Sequence, residues 1–260
     1  MKIIDTHTHY NDDALFSIAD EAIQRAKAVG VERIYNTGDC LESFLKILQL
    51  QQDHPGFCFS VLGIHPEFAS KEDEYFKKSY DIIIREKEHI SAIGEIGLDY
   101  HYNKEPEYIQ KQKDRFREQI RLAKSLSLPI VIHSRDADFD TLGIIKEELP
   151  EKIDLHCFSG SLEILKEYLK LPISFHIGVG GVCTFKNARV IKEVIQYAPE
   201  NILLTETDAP YLAPTPHRGE RNESCYLPLV ISQIAALKAT SDEEMSDILY
   251  HNALEFYDGK

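Results

Sequence analysis

Short apolar runs recur along the chain at Ile3-Ile4, Arg33-Ile34-Tyr35, Phe57 to Ile64, Ile90 to Ile96, Pro129 to Ile132, Ile153 to Leu155, Ile173 to Ile177 and Ile202 to Leu204. Each has strand length, and several are rich in the Ile, Val and Phe that suit a pleated, buried backbone. The polar stretches between them carry helical spacing. Ile109, Phe116, Ile120 and Ala123 form one stripe at intervals near multiples of 3.6. Met245, Ile248, Leu249 and Phe256 form another. It follows Ser241-Asp242-Glu243-Glu244, which has the S-x-x-E form of a capping box. Eight strands alternating with helices predict an α/β fold with a parallel sheet. Eight such units in 260 residues favour closure into a (β/α)8 TIM barrel, which needs about 250 residues. An open doubly wound sheet is the alternative. No GxGxxG or GxxxxGK[ST] turn occurs, so nucleotide-cofactor binding in a sheet-end crevice has no support.

Composition narrows this picture without changing it. There is no repeat, low-complexity stretch or Ser/Gly linker, so residues 1–260 are expected to form a single domain. No apolar run approaches the roughly 18–20 residues of a membrane helix. The N-terminus puts Asp5 and His7 where a signal peptide would be apolar. A soluble cytoplasmic protein is the expectation, with no membrane association and no obligatory protein partner indicated. The five cysteines are odd in number and lack CxxC spacing, which points to reduced, packed thiols. A formal net charge of −14 argues against a broad basic surface for nucleic acid. It leaves room for a small phosphate site beside bound cations.

Residues able to hold a metal follow the expected strands, at the end where a barrel displays its chemistry. The first strand runs into Asp5-Thr6-His7-Thr8-His9, the third into Gly63-Ile64-His65-Pro66 and the fourth into Gly94-Glu95-Ile96-Gly97-Leu98-Asp99. The fifth runs into Ile132-His133-Ser134-Arg135, the sixth into His156-Cys157 and the eighth into Thr205-Glu206-Thr207-Asp208. Two positions apart on a strand, His7 and His9 share a face, so both imidazoles can reach one cation. Taken singly, each residue has an ordinary reading: a hydrogen-bonded core histidine, a paired buried carboxylate at Glu95, a helix N-cap at Asp208. Four histidines and two carboxylates at the ends of five strands are hard to explain as independent packing.

At these residues the sequence resembles the TatD family of metal-dependent hydrolases, within the amidohydrolase-like barrels. The pieces that carry the resemblance are DTHTH (5–9), GIHP (63–66), GEIGLDY (94–100), IHSR (132–135), HCFSG (156–160), VCTFKNA (182–188), ETDAPYLAP (206–214) and RGERNE (218–223). They span nearly the whole chain in order. Ser224 departs from the pattern, since relatives commonly carry Pro after Asn-Glu. The resemblance implies one divalent ion on His7, His9, Glu95 and Asp208. It implies a second on Glu95, His133 and His156, with Glu95 bridging. A carboxylate can span two cations roughly 3.5–4 Å apart. Imidazoles with carboxylates suit Zn²⁺ or Mn²⁺, while Mg²⁺ usually prefers oxygen ligands.

The expected chemistry is hydrolysis by a water whose proton loss the cations favour, with Asp208 as both ligand and base and Glu95 as the second catalytic carboxylate. The leading expectation is a deoxyribonuclease cleaving phosphodiester bonds, with nucleic acid as substrate. The alternative is an ester or amide hydrolase such as a D-aminoacyl-tRNA deacylase. A non-catalytic metal-binding protein is disfavoured because no ligand position is lost. His65, Lys186, Arg218, Arg221 and Asn222 are the candidates for holding substrate, as amide or cationic donors on loops at the barrel mouth. Arg135 and Glu206 are expected to brace ligands, and Cys157 to be packing.

Overall fold

The computed structural model describes residues 1–259. Every apolar run named above becomes a strand: β1 (Ile3–Thr8), β2 (Val31–Thr37), β3 (Cys58–Leu62), β4 (Ile90–Asp99), β5 (Ile130–Arg135), β6 (Lys152–Leu155), β7 (Ser174–Val179) and β8 (Leu203–Thr205). Among the described residues, ten helices alternate with them: α1 (Asp13–Phe16), α2 (Ala19–Ala28), α3 (Leu41–Asp53), α4 (Asp73–Arg85), α5 (Pro106–Leu126), α6 (Asp138–Glu148), α7 (Leu162–Tyr168), α8 (Arg189–Tyr197), α9 (Leu227–Lys238) and α10 (Asp242–Asp258). The strands pair in sequence order, and every pair is parallel.

The ring closes between β1 and the segment after β8. Asp208 donates its N–H to the His7 carbonyl (3.0 Å), and His9 donates to the Ala209 carbonyl (2.8 Å). The architecture is therefore a (β/α)8 barrel. Strand alternation sorts the side chains into two layers. Ile3, Ile34, Ile93, Ile130, Ile153 and Leu155 pack among the surrounding helices. Ile4, Tyr35, Val61, Ala92, Val131 and Leu204 form an inner cluster with Ala253 and Phe256 of α10. The α10 helix thus fills one end of the barrel, where Tyr257 donates its hydroxyl to the Thr6 carbonyl (2.7 Å). The other end, at the strand C-termini, is left for the site.

Two local details differ from the sequence reading. Only half of the capping box forms at α10: Ser241 Oγ accepts from the Glu244 N–H (3.2 Å), while the Glu244 carboxylate accepts from Thr240 (2.6 Å). The fourth strand continues past Ile96 to Asp99, because its pairing with β5 persists to Asp99 opposite Arg135. Gly97 makes that pairing possible. Its φ is 147°, and a Cβ there would lie 1.9 Å from the His133 carbonyl oxygen. Among the described residues, no helix is long and apolar enough to cross a membrane.

Candidate metal centre

The strand ends bring His7, His9, Glu95, His133, His156 and Asp208 into one cluster around Glu95. The register between β1 and β2 shifts between Asp5 and Thr8, and that irregularity accompanies the turn of β1 into the site. His7 Nε2 and His9 Nε2 then face each other at 3.1 Å. Glu95 is buried and divides its oxygens between two histidine pairs. Its Oε2 lies 3.6 Å from His7 Nε2 and 3.7 Å from His9 Nε2. Its Oε1 lies 2.7 Å from both His133 Nδ1 and His156 Nε2. Asp208 Oδ1 stands on the first side, 3.3 Å from His9 Nε2 and 3.8 Å from His7 Nε2.

The other nitrogen of each ring faces an oxygen. His9 Nδ1 donates to the Thr37 carbonyl (2.9 Å), and His7 Nδ1 lies 3.5 Å from the Thr37 hydroxyl. His133 Nε2 lies 3.2 Å from Asp99 Oδ2, and His156 Nδ1 lies 3.7 Å from Glu206 Oε1. A neutral imidazole carries one proton. Placing that proton toward these oxygens leaves the bare nitrogen of every ring turned toward Glu95. Four lone pairs around one carboxylate repel one another unless positive charge lies among them. The donor set therefore fits divalent cations. His7, His9 and Glu95 present ligand atoms within 4.8 Å of one another, as do Glu95, His133 and His156.

Two further triples meet the same distance, His7–His156–Glu206 and His65–Asp99–His133. Both are poorer homes for an ion. In the first, Glu206 faces the proton-bearing side of His156, and its Oε1 already accepts the Cys157 N–H. In the second, His65 Nδ1 accepts from the Glu67 N–H (3.2 Å), so the proton of the neutral ring sits on Nε2, the nitrogen nearer Glu95 Oε1 at 4.0 Å. Burial pushes the His65 pKa down to about 3, with His133 adding to the effect. His65 is thus a neutral donor aimed into the site.

The electrostatics follow from this crowding. Burial alone would raise the pKa of Glu95, but the imidazoles, His156 foremost, hold it well below the usual carboxylate range. Burial would likewise lower His9, yet Asp208 and then Glu95 bring it up to about 9. His7 is lowered, by burial first and His156 second, which together outweigh the pull of Glu95. Asp208 is held below its ordinary value despite burial, chiefly by His9.

Asp208 sits on a clamped turn with φ 57°, the left-handed region that non-glycine residues seldom adopt. Asp5 grips that turn from one side, accepting the Thr207 N–H (3.0 Å), the Thr207 hydroxyl (2.7 Å) and the Ser224 hydroxyl (2.6 Å). Burial pushes Asp5 up to about 7. Ser224, which stands where Pro is the commoner residue, supplies one of those donors and accepts from Tyr10 (3.1 Å). Asn222 grips the turn from the other side, donating to the carbonyls of Thr207 and Tyr211 (both 2.8 Å).

A cavity of ≈ 610 Å³ opens over the cluster, within the size range of small-ligand sites. His65 lines it with His9, Glu95, His133, His156 and Asp208. The other expected substrate contacts lie elsewhere. Asn222 is fully buried, its amide spent on the turn just described. Arg221 donates to the Ala14 carbonyl and to Glu223 (both 3.2 Å). Arg218 lies over the Phe185 ring, 4.1 Å from its centroid, and Lys186 is exposed. Residue type and nearness to a motif put these four in the candidate set, and neither reveals where a side chain points.

Arg135, expected as a brace, lines the cavity. Thr37 and Asp99, which orient the histidines, were not among the candidates. Asp99 could have been found from its spacing, since Glu95, Gly97 and Asp99 alternate along one strand. Its backbone is held on both sides by Gln112 (2.9 and 2.8 Å). Cys157 fits a packing role, since burial raises its thiol pKa further above neutrality.

The chain is similar to known proteins over nearly its whole length. The family described as TatD related DNase matches residues 4–258. The chain is 41% identical over 260 residues to the uncharacterized metal-dependent hydrolase YabD of Bacillus subtilis (strain 168), covering 98% of each. It is 30% identical over 262 residues to the 3'-5' ssDNA/RNA exonuclease TatD of Rahnella sp. (strain Y9602), covering 97% of this chain and 95% of that one. Its fold matches the crystal structure of YJJV, a TatD homolog from Escherichia coli K12, with a TM-score of 0.90 at 27% identity over 98% of each chain.

Proposed function

Because this chain belongs to the TatD related DNase family and is a metal-dependent hydrolase, we propose that residues 1–260 act as one catalytic domain that hydrolyses phosphodiester bonds, with DNA as the first candidate substrate. The observation that carries the reading is the 3.1 Å approach of His7 Nε2 and His9 Nε2 beside the shared Glu95 carboxylate. The name of the Rahnella relative supports the choice of bond and of polymer.

His7, His9, Glu95 and Asp208 would hold one divalent ion, and Glu95, His133 and His156 a second. Imidazole-rich donors favour Zn²⁺ or Mn²⁺ over Mg²⁺. When bound, such ions lower the pKa of a water and offset negative charge on phosphoryl oxygens. Asp208, ionised and fixed by its clamped turn, orients the attacking water and takes its proton as the new bond to phosphorus forms. The bond from phosphorus to the leaving sugar oxygen breaks as that happens, and that oxygen takes up a proton, from Asp208 or from solvent. His65 donates Nε2–H to a phosphoryl oxygen and stays neutral while doing so. Asp99 and Thr37 keep the bare nitrogens of the histidines turned inward.

The test is metal-reconstituted protein assayed side by side on single-stranded DNA, duplex DNA, RNA and D-aminoacyl-tRNA. The expected result is DNA cleavage that a chelator abolishes and a divalent metal restores. Release of the amino acid with every phosphodiester intact would replace this reading with that of an ester hydrolase. Full activity in metal-free protein would overturn the metal assignment itself.

A further inference from the structure

The cavity over the cluster has two unlike walls. The segments after β1, β2 and β3 give it Asp12, Asp13, Asp39, Glu42 and Glu67. Its Lys46 is spent on that same wall, 2.7 Å from Asp13 Oδ1 and 3.2 Å from the Asn11 carbonyl. The next part of the lining, after β4 and at the end of β5, carries Tyr102 and Arg135 together with Asp99, whose Oδ2 is engaged by His133 at 3.2 Å. Tyr102 stands three residues beyond Asp99, and Arg135 two beyond His133, so both are tied directly to the strands that bear the site.

Tyr102 is a large aromatic side chain left 80% exposed, yet it is held in place. The Arg135 guanidinium lies over its ring, 5.2 Å from the centroid, and donates to its hydroxyl at 3.4 Å. The His101 and Tyr102 rings meet in a T-shaped contact, centroids 4.7 Å apart. His101 in turn is 3.3 Å from Asp136, which keeps that neighbouring carboxylate occupied. The tyrosine is thus flanked by a cation while most of its ring surface stays open to solvent, at 80% exposure.

We propose that Tyr102, backed by Arg135, is a stacking platform for an unpaired nucleobase of the strand being cleaved. This rests on the phosphodiester reading above and adds the side chain that would grip a base of the substrate strand. A polyanion is repelled by the acidic wall, so the strand leaves the cluster over the Arg135 side. There the guanidinium attracts a phosphate and the open ring face takes a base. Every base has a π-face, so such a contact tolerates sequence. A base inside a duplex already has both faces covered by its neighbours. The platform is open to single strands and frayed ends, and closed to intact duplex.

The experiment compares metal-loaded wild type, Tyr102→Ala and Tyr102→Phe on two strands of equal length, an oligothymidylate and an oligomer of abasic residues. Stacking on an aromatic side chain contributes enough that its removal should raise KM for the oligothymidylate about tenfold. The same variant should leave KM for the abasic strand unchanged. Tyr102→Phe keeps the ring and should stay near wild type. Thermal unfolding checks that the exposed site tolerates Ala. An equal effect of Tyr102→Ala on both strands, or none on either, overturns the platform alone. If wild type cleaves neither strand, the phosphodiester reading falls and the platform with it.

Discussion

The two histidine pairs that flank Glu95 are backed differently. Behind His7 and His9 stands Thr37, which offers only neutral oxygens, a carbonyl at 2.9 Å and a hydroxyl at 3.5 Å. Behind His133 and His156 stand the carboxylates of Asp99 and Glu206, at 3.2 and 3.7 Å. A neutral acceptor fixes a tautomer; a carboxylate fixes it and also makes the ring a stronger base. In front, the asymmetry reverses. The first pair faces two carboxylates, Glu95 and Asp208, and the second faces Glu95 alone. Each side thus gathers negative charge by its own route. The first would have it in direct reach of an ion, and the second would have it one imidazole away. On the proposed assignment, the first side should be sensitive to loss of a direct ligand, and the second to loss of an orienting partner.

Glu95→Gln should break the comparison altogether, because it removes the charge both sides share. Metal content should fall for both ions, and turnover should fall by at least the factor of about 10²–10⁴ associated with a single acid–base group. Metal analysis beside kcat decides it. Retention of one full equivalent of metal would mean that Glu95 does not bridge. Asp208→Asn comes next and should act on one side only. Asn keeps the shape but neither accepts the proton nor carries the charge, so kcat should drop about 10²–10⁴-fold with the fold intact. A near-normal kcat would remove Asp208 from both roles.

Asp99→Asn probes the other side, with a smaller effect. If the new amide turned its NH₂ toward His133 Nε2, that nitrogen would have to accept. The ring proton would move to Nδ1, against Glu95. If it turned its oxygen instead, the NH₂ would meet the His101 N–H that Asp99 now accepts at 2.8 Å. Either way the orientation of His133 is weakened while Gln112 still holds the backbone. Metal affinity should fall about 10–100-fold at the second position, with the first little changed, as read by competition with a chelating dye. Equal weakening of both positions would contradict the division into two routes.

How far the sequence could be read follows from what each kind of signal measures. Apolar runs report local burial, and burial by helices on one side and a closed barrel on the other was enough to mark all eight strands. The run at Ile90 gave out at Ile96, because Gly97 and Asp99 are not apolar. Backbone pairing with β5 carries the strand to Asp99, and pairing leaves no trace in hydropathy. Residues on strand ends converge because a parallel barrel sends every C-terminus to one mouth. That is why His7, His9, Glu95, His133, His156 and Asp208 could be named together and are found clustered. Side chains on long loops obey no such rule. An Asn amide suits a buried carbonyl as well as a phosphate, and Asn222 sits on two carbonyls. Arg135 was read as a brace, yet it lies two residues past His133 on β5, so strand alternation puts both on one face, and both line the cavity.

Thr37→Val should give the smallest effect of the series, and its size sharpens the comparison most. Thr37 is fully buried near the end of β2, where Val has nearly the same shape and an equally good strand preference. The carbonyl that fixes His9 belongs to the backbone and survives the change. What is lost is the hydroxyl 3.5 Å from His7 Nδ1, a long contact at the edge of hydrogen bonding. A neutral hydrogen bond of ordinary quality is worth about 0.5–1.5 kcal/mol, and one this long should sit at or below the lower end. Metal affinity at the first position should therefore fall by less than about tenfold, with kcat close to wild type. Setting this beside Asp99→Asn weighs a neutral orienting oxygen against a charged one in the same protein. If Thr37→Val weakened metal binding more than Asp99→Asn, charge behind the ligand would not be what distinguishes the two pairs. The side chain of Thr37 would then have to hold His7 by packing, and a matching loss of thermal stability in Thr37→Ala would show it.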